Sequence, residues 1–416
     1  MTEHTDVIIV GAGIVGLSSA LHLQERGLKV MLLDPGDERR RASFGNAGVL
    51  SRNSIFPVAS PDVRKRLIRY ALGRDIAVRA RLRSLPALMP WVEKFLLAAN
   101  DTAWRRSAAL FDALVSKSFE SHIALADLVG ARHLIRRNGW MRLYRSEAAF
   151  SGSAIERSVL AQYGIAAEPL TAADIDALEP CLARRFTHGL FFSDSGSVES
   201  PGTLVQYYRK AVTARGGRFI DAKADRIVPR DDGVTVYGCE RTIEARFAVL
   251  AAGAWSGTLA RTLGYRIPLA AERGYHRHFR LGEGVELRRP IHDAAGGYVM
   301  SPMNGTVRLL SGVELARPDD PPNYRQIEAV TRDAAGTIAL GSMLDETPWM
   351  GSRPSTPDGL PVIGLAPRHR RLVFAFGHGH IGFANGPITG RIVAALIANE
   401  TPPVAIEGFS PARFGA

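Results

Sequence analysis

The residues Gly11-Ala12-Gly13-Ile14-Val15-Gly16 stand between an apolar, β-branched run, Asp6–Val10, and a stretch in which Leu17, Ala20, Leu21 and Leu23 recur at helical spacing. Glycines at these positions permit a tight turn, let the backbone approach a pyrophosphate, and bring helix and strand close. The helix start directs N–H groups and a partial positive charge at the phosphates. Asp34 ends the next apolar run, Lys29–Asp34, where its carboxylate can accept from a ribose hydroxyl. This is the chemistry of a dinucleotide site, and it does not say which dinucleotide.

A second group of residues lies near the C-terminus. Arg353 stands in Gly351-Ser352-Arg353-Pro354-Ser355-Thr356-Pro357-Asp358-Gly359. Its guanidinium offers a planar fork to a carboxylate, where a lysine would offer a point charge. A structural ion pair is the alternative use. Gly377-His378-Gly379-His380-Ile381-Gly382 follows, with glycines that let backbone approach a flat ring. Ser43-Phe44-Gly45-Asn46-Ala47-Gly48 is a loop of small and amide residues that can meet phosphate or a ring, or be an ordinary polar loop. His276 and His278 share a face if they lie on a strand. They could form half a metal site, but no acid or thiol is near them in sequence. A polar strand face beside a pocket is expected, and no metal.

These residues need elements to hold them. Asp6–Val10, a helix from Val15 to Arg26, and Lys29–Asp34 make a strand–helix–strand unit. Pro61–Asn100 is helical in tendency but broken by Gly73, Pro86 and Pro90, and Trp104–Val129 reads as one helix without Gly or Pro. Gly139–Tyr144 reads as a strand, Thr171–Leu178 as a helix capped by Thr171, and Gly202–Arg215 as another helix. Arg218–Ala222, Ala224–Pro229, Gly233–Tyr237 and Thr242–Ala245 resemble a meander, with Phe247–Ala252 a separate buried strand. Long antiparallel strands are expected at Tyr275–Leu281, Gly297–Met303 and Thr306–Val313, turned at Asn304-Gly305. A helix over Gln326–Leu340, a buried strand at Leu372–Phe376 and a helix over Ile388–Ala398 complete the chain.

Taken in order along the chain, these motifs, with Val249-Leu250-Ala251-Ala252-Gly253-Ala254-Trp255-Ser256 and Glu272-Arg273-Gly274-Tyr275, resemble the D-amino-acid oxidase superfamily of FAD proteins, and within it bacterial D-amino-acid dehydrogenase-like members. Residues 61–135 match only in general character. The resemblance implies an α/β fold of the D-amino-acid oxidase/glutathione-reductase type. A Rossmann-like FAD-binding domain would comprise 1–60, 197–257 and 350–412. A substrate domain with a large antiparallel sheet would comprise 61–196 and 258–349. It implies Arg353 as the grip on a substrate carboxylate, Tyr298 as a second carboxylate partner, and His378 and His380 as positioning and hydrogen-bonding groups beside the flavin. Cofactor contacts are expected at Gly11, Gly13, Ile14, Val15, Gly16, Asp34, Ser43, Asn46, Ala47, Gly48, Ala224, Ala252, Gly253, Gly379, His380, Ile381 and Gly382. No cysteine or histidine stands where relatives attach flavin, so FAD is expected to be non-covalent. The implied reaction is oxidative deamination of an α-amino acid of D configuration, or of a D-proline-type cyclic amine, by hydride transfer to flavin N5. Electrons would pass to a quinone or other acceptor. An oxygen-using glycine or sarcosine oxidase and a flavin subunit of a heteromeric dehydrogenase complex remain open.

The 416 residues carry a net charge of +11, and 46% are hydrophobic. That is an ordinary globular balance with room for more than one domain. Pro61 to Arg83 holds eight basic residues and two acidic ones, supplying +6 of the total. The basic residues are Arg64, Lys65, Arg66, Arg69, Arg74, Arg79, Arg81 and Arg83, and the apolar series Leu85–Leu97 follows. Such a stretch suits either an anionic membrane surface or a solvated helical face. Nucleic acid is not an expected partner. Two cysteines, Cys181 and Cys239, give no disulfide framework and suit a reducing compartment. No signal peptide or spanning segment is expected. The expected location is cytoplasmic, with peripheral contact at the inner face of the inner membrane as the extension.

Overall fold

The computed structural model of the chain describes residues 2–63 and 77–415. Among these, the strand Thr2–Val10 runs parallel to Val30–Asp34 on one side and to Arg241–Leu250 on the other. Arg218–Asp221 extends this parallel set beyond Val30–Asp34, and His369–Phe376 adds to it beside Ala248–Leu250. Val7, Ile8 and Ile9 are fully buried. Such two-faced burial is what a parallel strand of continuous apolar residues requires. The helices Ile14–Gln24, Pro201–Ala214 and Gly382–Ile397 cover one face through Leu17, Leu21, Tyr208, Val212 and Val393. Leu259, Ala260, Tyr265 and Ile267 cover the other.

The second sheet is larger, with eleven strands among the described residues. Its axis is the strand Ala270–Leu281, which pairs antiparallel with Thr306–Leu310, Val313–Ala316, Leu340–Met343 and Trp349–Ser355. Side chains alternate between its faces. Tyr275, Tyr298, Met300 and Leu309 pack with Ile327 and Val330 of the helix Arg325–Ala334. Gly274, Val299, Leu310, Ser311, Trp349, Gly351 and Arg353 line a cavity on the opposite face.

Several elements depart from the sequence reading. Trp104–Val129 is two helices, Asp101–Val115 and Ser118–Leu128. The first sends Phe111, Leu114 and Val115 into one core, and the second sends Leu125 and Ala126 into another. One straight helix could not do both. Thr242–Ala245 and Phe247–Ala252 merge into the single strand Arg241–Leu250. The helix expected to reach Leu340 stops at Ala334 before Gly336, and Leu340–Met343 is a strand. The last helix starts at Gly382, six residues before Ile388, with Pro387 inside it. Proline has no N–H for the Phe383 carbonyl. The His122 ring takes that carbonyl instead, at 2.9 Å. Thr171 caps Ala172–Leu178 in a reciprocal capping box, as expected. The boundary placed at 350 falls inside Trp349–Ser355, a strand of the larger sheet. The helix Ser118–Leu128, assigned to the substrate domain, packs against the helices of the first sheet. Of the basic stretch, Arg64, Lys65, Arg66, Arg69 and Arg74 lie outside the described residues.

Candidate functional site

A cavity of about 810 Å³ lies between the two sheets. One end is built by the strand–turn–helix at Gly11–Gly16. Gly11 has φ +107°, and a methyl there would lie 2.4 Å from the Ala251 carbonyl oxygen. A methyl at Gly16 would lie 2.0 Å from the Gly11 carbonyl oxygen. Gly13 differs. The nearest atom to its missing methyl is Ser43 Oγ at 3.6 Å, so this glycine opens onto the cavity. Gly11, Gly13, Ile14 and Val15 line the space, whereas Gly16 serves packing.

Asp34, 9% exposed, faces the same end. Its Oδ2 accepts from the Ala12 N–H at 2.8 Å, and its Oδ1 accepts from Gly36 N–H at 3.1 Å and Arg41 Nη2 at 2.6 Å. Arg41 had no place in the sequence reading. It is buried, lines the cavity, and its Nε has no hydrogen-bond partner among the described residues. An orphaned buried guanidinium N–H in a cavity wall suits an anionic guest. Ser43 Oγ accepts from the Ile14 N–H at 3.3 Å. Ala224, Ala252 and Gly253 line the same cavity.

The loop after Arg41 is fastened to the larger sheet. Trp349 stacks on His276 with ring centroids 4.7 Å apart and donates from Nε1 to the Arg39 carbonyl at 2.6 Å. Methyls at Gly45 or Gly351 would collide with its ring, at 2.4 and 2.0 Å. The His276 ring bonds the Gly45 carbonyl through Nδ1 at 3.0 Å, and Arg308 Nη1 donates to the Asn46 carbonyl. Arg308 Nε also donates to His278 Nε2 at 2.9 Å, while His278 Nδ1 meets Asp345 Oδ2 at 2.7 Å. Arginine can only donate, so His278 is neutral with its proton on Nδ1. Burial and Arg308 both hold its pKa below the ordinary value. His276, His278 and Asp345 have ligand-like spacing. The sequence reading saw no acid near these histidines; the fold brings Asp345 to them. Arg308 occupies the His278 lone pair, so the group works as a hydrogen-bond relay onto the Asn46 peptide. Asn46 and Ala47 line the cavity, and Asn46 Oδ1 accepts from the Gly48 N–H at 2.8 Å. Gly48 itself does not reach the cavity wall; a methyl on it would lie 2.3 Å from the Val198 carbonyl oxygen.

At the far end stands Arg353. Its guanidinium lies over Gly274, where a methyl would sit 2.3 Å from Nη2. Its Nη1 donates to the Gly312 carbonyl at 3.2 Å. Burial lowers its pKa and Glu272 partly restores it. His378, Gly379, His380, Ile381 and Gly382 line the adjoining wall. Burial lowers the pKa of His378 to about 4. Burial and the charge of Arg353 do the same to His380. Thr389 Oγ1 donates to the Asn385 carbonyl at 2.7 Å, so it accepts from His378 Nε2 at 3.0 Å. The His378 proton is therefore on Nε2.

Tyr298 is not in the site. It is 1% exposed, and its hydroxyl bonds Thr337 Oγ1 at 2.9 Å beneath the helix Arg325–Ala334. Its neighbour Val299 holds the cavity face. The expectation for Tyr298 fails by one residue of strand parity.

Residues 6–396 match the family model described as FAD dependent oxidoreductase. The chain belongs to this family. The chain is 33% identical to a D-amino-acid oxidase of Bradyrhizobium diazoefficiens, with the whole of both chains covered. It is 28% identical to a D-amino acid dehydrogenase of Paramagnetospirillum magneticum, with 98% of each covered. Glycine oxidase from Geobacillus kaustophilus shares the fold, with a TM-score of 0.77 at 21% identity over 99% of each chain. The cavity fits FAD. Gly13, the Ile14 helix start and Arg41 would hold its diphosphate, and Asp34 its ribose. The loops around Asn46 and Gly379 are where the ring of this oxidoreductase's cofactor would be held. Arg41, Arg308 and Trp349, which line or brace the cavity, had no role in the sequence reading. Paired glycines opposite a tryptophan (Gly45 and Gly351 with Trp349) were the one available signal, and only the fold pairs them.

Proposed function

We propose that this protein oxidises an α-amino acid, of D configuration, at the carbon bearing the amine. The observation that carries the reading is Arg353. Its guanidinium faces the cavity from the larger sheet, with one acceptor among the described residues, Gly312, for its several donors. That leaves a bidentate face for a carboxylate. The D configuration rests on the full-length similarity to proteins named D-amino-acid oxidase and D-amino acid dehydrogenase. When bound, FAD supplies the redox chemistry by taking a hydride from the substrate carbon. The chain's own residues bind, orient and exclude water. Arg353 fixes the carboxylate and so sets which bond faces the cofactor. His378 and His380 stay neutral near pH 7, since burial holds both pKa values at about 4. They position by hydrogen bonding and carry no charge, and His378 keeps its proton on Nε2.

The test is a panel of D- and L-amino acids mixed with the FAD-loaded protein without oxygen. Bleaching of the flavin by D-amino acids supports the reading. No bleaching by any amino acid overturns it. The acceptor is proposed to be a quinone or similar carrier. The 33% identity to a protein named D-amino-acid oxidase favours oxygen as a second reading. Peroxide formed in step with turnover would decide for oxygen.

Peripheral docking on an anionic membrane belongs to the same proposal. No helix among the described residues is long and apolar enough to cross a membrane. The helix Leu85–Ala98 buries Trp91 against the larger sheet but leaves Met89 and Leu97 exposed, at 54% and 66%. These follow the basic series Arg64–Arg83 in sequence. Each basic residue adds about 1 kcal/mol at an anionic surface and is screened by salt. Sedimentation with phosphatidylserine vesicles at low salt, lost at high salt, is expected. Failure to sediment at low salt would leave a soluble acceptor.

A further inference from the structure

The positioning described above leaves one buried titratable group without a task. Glu272 is 3% exposed. It faces Arg353 on the same rung of the antiparallel pair between Ala270–Leu281 and Trp349–Ser355, so both side chains leave the sheet on one face. Its carboxyl bonds the Ser355 side chain. Ser355 in turn bridges His378 through the backbone, and its Oγ lies 3.9 Å from where a methyl on Gly379 would be. Glu272 therefore sits just behind the cavity wall, between the guanidinium and the histidine loop.

Among the described residues, the charged or titratable groups on that face are Arg353 from the neighbouring strand, His378 and His380 from the loop, and, farther along the same strand, His276 and His278 with Arg308 and Asp345. Glu314 and Arg273 pair with each other on the opposite face, and Arg81 joins Glu314 there. No described cation lies within ion-pair distance of Glu272. A buried carboxylate without a close cation is costly, and burial raises its pKa. Arg353, at longer range, is the charge that supports it. With His378 and His380 neutral, an ionised Glu272 leaves this end of the cavity with no net charge. A protonated Glu272 leaves it with one positive charge. An incoming carboxylate needs that charge.

We propose that Glu272 and the substrate carboxylate compete for the charge of Arg353, so that binding an amino acid is linked to protonation of Glu272. The inference rests on the reading of Arg353 as the carboxylate site. The linkage has a definite sign. Binding is at full strength below the pKa of Glu272 in the free enzyme and weakens as pH rises through it. For one linked proton the slope approaches about tenfold in affinity per pH unit.

The experiment uses the FAD-loaded protein and 2-aminoisobutyrate, an amino acid with no hydrogen on its α-carbon to transfer. Its binding is followed by the flavin absorbance from mildly acidic to mildly alkaline pH. Calorimetry in two buffers of different ionisation enthalpy counts the protons taken up. The Glu272→Gln protein keeps the shape and loses the titration. Wild type should take up protons and bind progressively weaker at alkaline pH. Glu272→Gln should show only the titration of the ligand's own amine and should bind more tightly than wild type at the alkaline end. Superimposable pH profiles for the two proteins, with equal proton uptake, would overturn the proposal while leaving the function intact. If Glu272→Gln fails to retain FAD, proton uptake by wild type decides: none at any pH overturns the linkage. An absence of binding by any amino acid, in either protein, is failure of the functional reading itself.

Discussion

Arg353 spends one N–H on Gly312 and owes its position to the missing side chain of Gly274. Two substitutions follow. Arg353→Met should lower kcat/KM for amino acids by about 2–5 kcal/mol, mostly as a higher KM, because one partner of a desolvated pair is gone. Arg353→Lys should recover part of this, since an ammonium cannot form the fork. Gly274→Ala should raise KM in the same sense with FAD retained, because the added methyl displaces the guanidinium and the strand stays paired. Steady-state kinetics beside the flavin spectrum checks all three. Unchanged kcat/KM in Arg353→Met would remove it from the site. Tyr298→Phe should leave KM alone and cost about 1 kcal/mol of stability through its lost bond to Thr337. A changed KM would put Tyr298 back in the site. Asp34 and Arg353 were legible in sequence because their neighbours are glycines and prolines that fix backbone shape. Tyr298 was misplaced because a strand's parity depends on its partners, and no local residue marks which face will be buried. Arg41 was invisible for a related reason: its role comes from a fold-back onto Asp34.

The element proposed to hold the cofactor most directly is the loop from Arg39 to Gly48, held to the larger sheet by Trp349, His276 and the Asp345–His278–Arg308 relay. Arg308→Met should weaken FAD binding by roughly tenfold or more, since a hydrogen bond to a charged group is worth about 1.5–3 kcal/mol. The relay also has a pH limit. His278 must be neutral to accept from Arg308, and its pKa in the fold lies below the ordinary 6.5. The relay's contribution is therefore full above pH 6.5 and lost as pH falls through the depressed value. FAD affinity of wild type should fall over that acid range, and Arg308→Met should show a shallower fall. Fluorescence of released FAD measures both, and identical slopes would count against the relay. Most elements could be read from the sequence, among them the Asp6–Val10 part of the strand Thr2–Val10, the fingerprint helix and the helix capped by Thr171. The split at Ser116-Lys117 and the fusion of Arg241–Leu250 could not. Both are decided by which core each half meets, and the chain has no glycine or proline to announce it.

For the whole molecule, FAD held in the cavity where the two sheets meet should act as a keystone for both. The purified protein should be yellow, and free FAD should appear in the supernatant after heat or acid. A chromophore that stays with the denatured chain would overturn non-covalent binding. Saturation at a hundredfold over Kd should stabilise the fold by about 2.7 kcal/mol, read as a raised melting temperature. The first sheet takes its parallel strands from Val7–Asp34, Arg218–Leu250 and Leu372–Phe374. Its helical cover includes Gly382–Ile397. This has a consequence for biosynthesis. The fingerprint turn at Gly11–Gly16 is made long before His369–Phe376 and Gly382–Ile397, the strand and helix that complete its surroundings. A chain made at about 5–20 residues per second must therefore leave the face of Ile14–Gln24 that Gly382–Ile397 covers open for most of its synthesis, although Val7–Val10 can pair early with Val30–Leu33. Long-range parallel pairing of this kind is slow and exposed to aggregation. The nascent protein should lean on chaperones throughout translation, and cofactor loading should be a post-translational event.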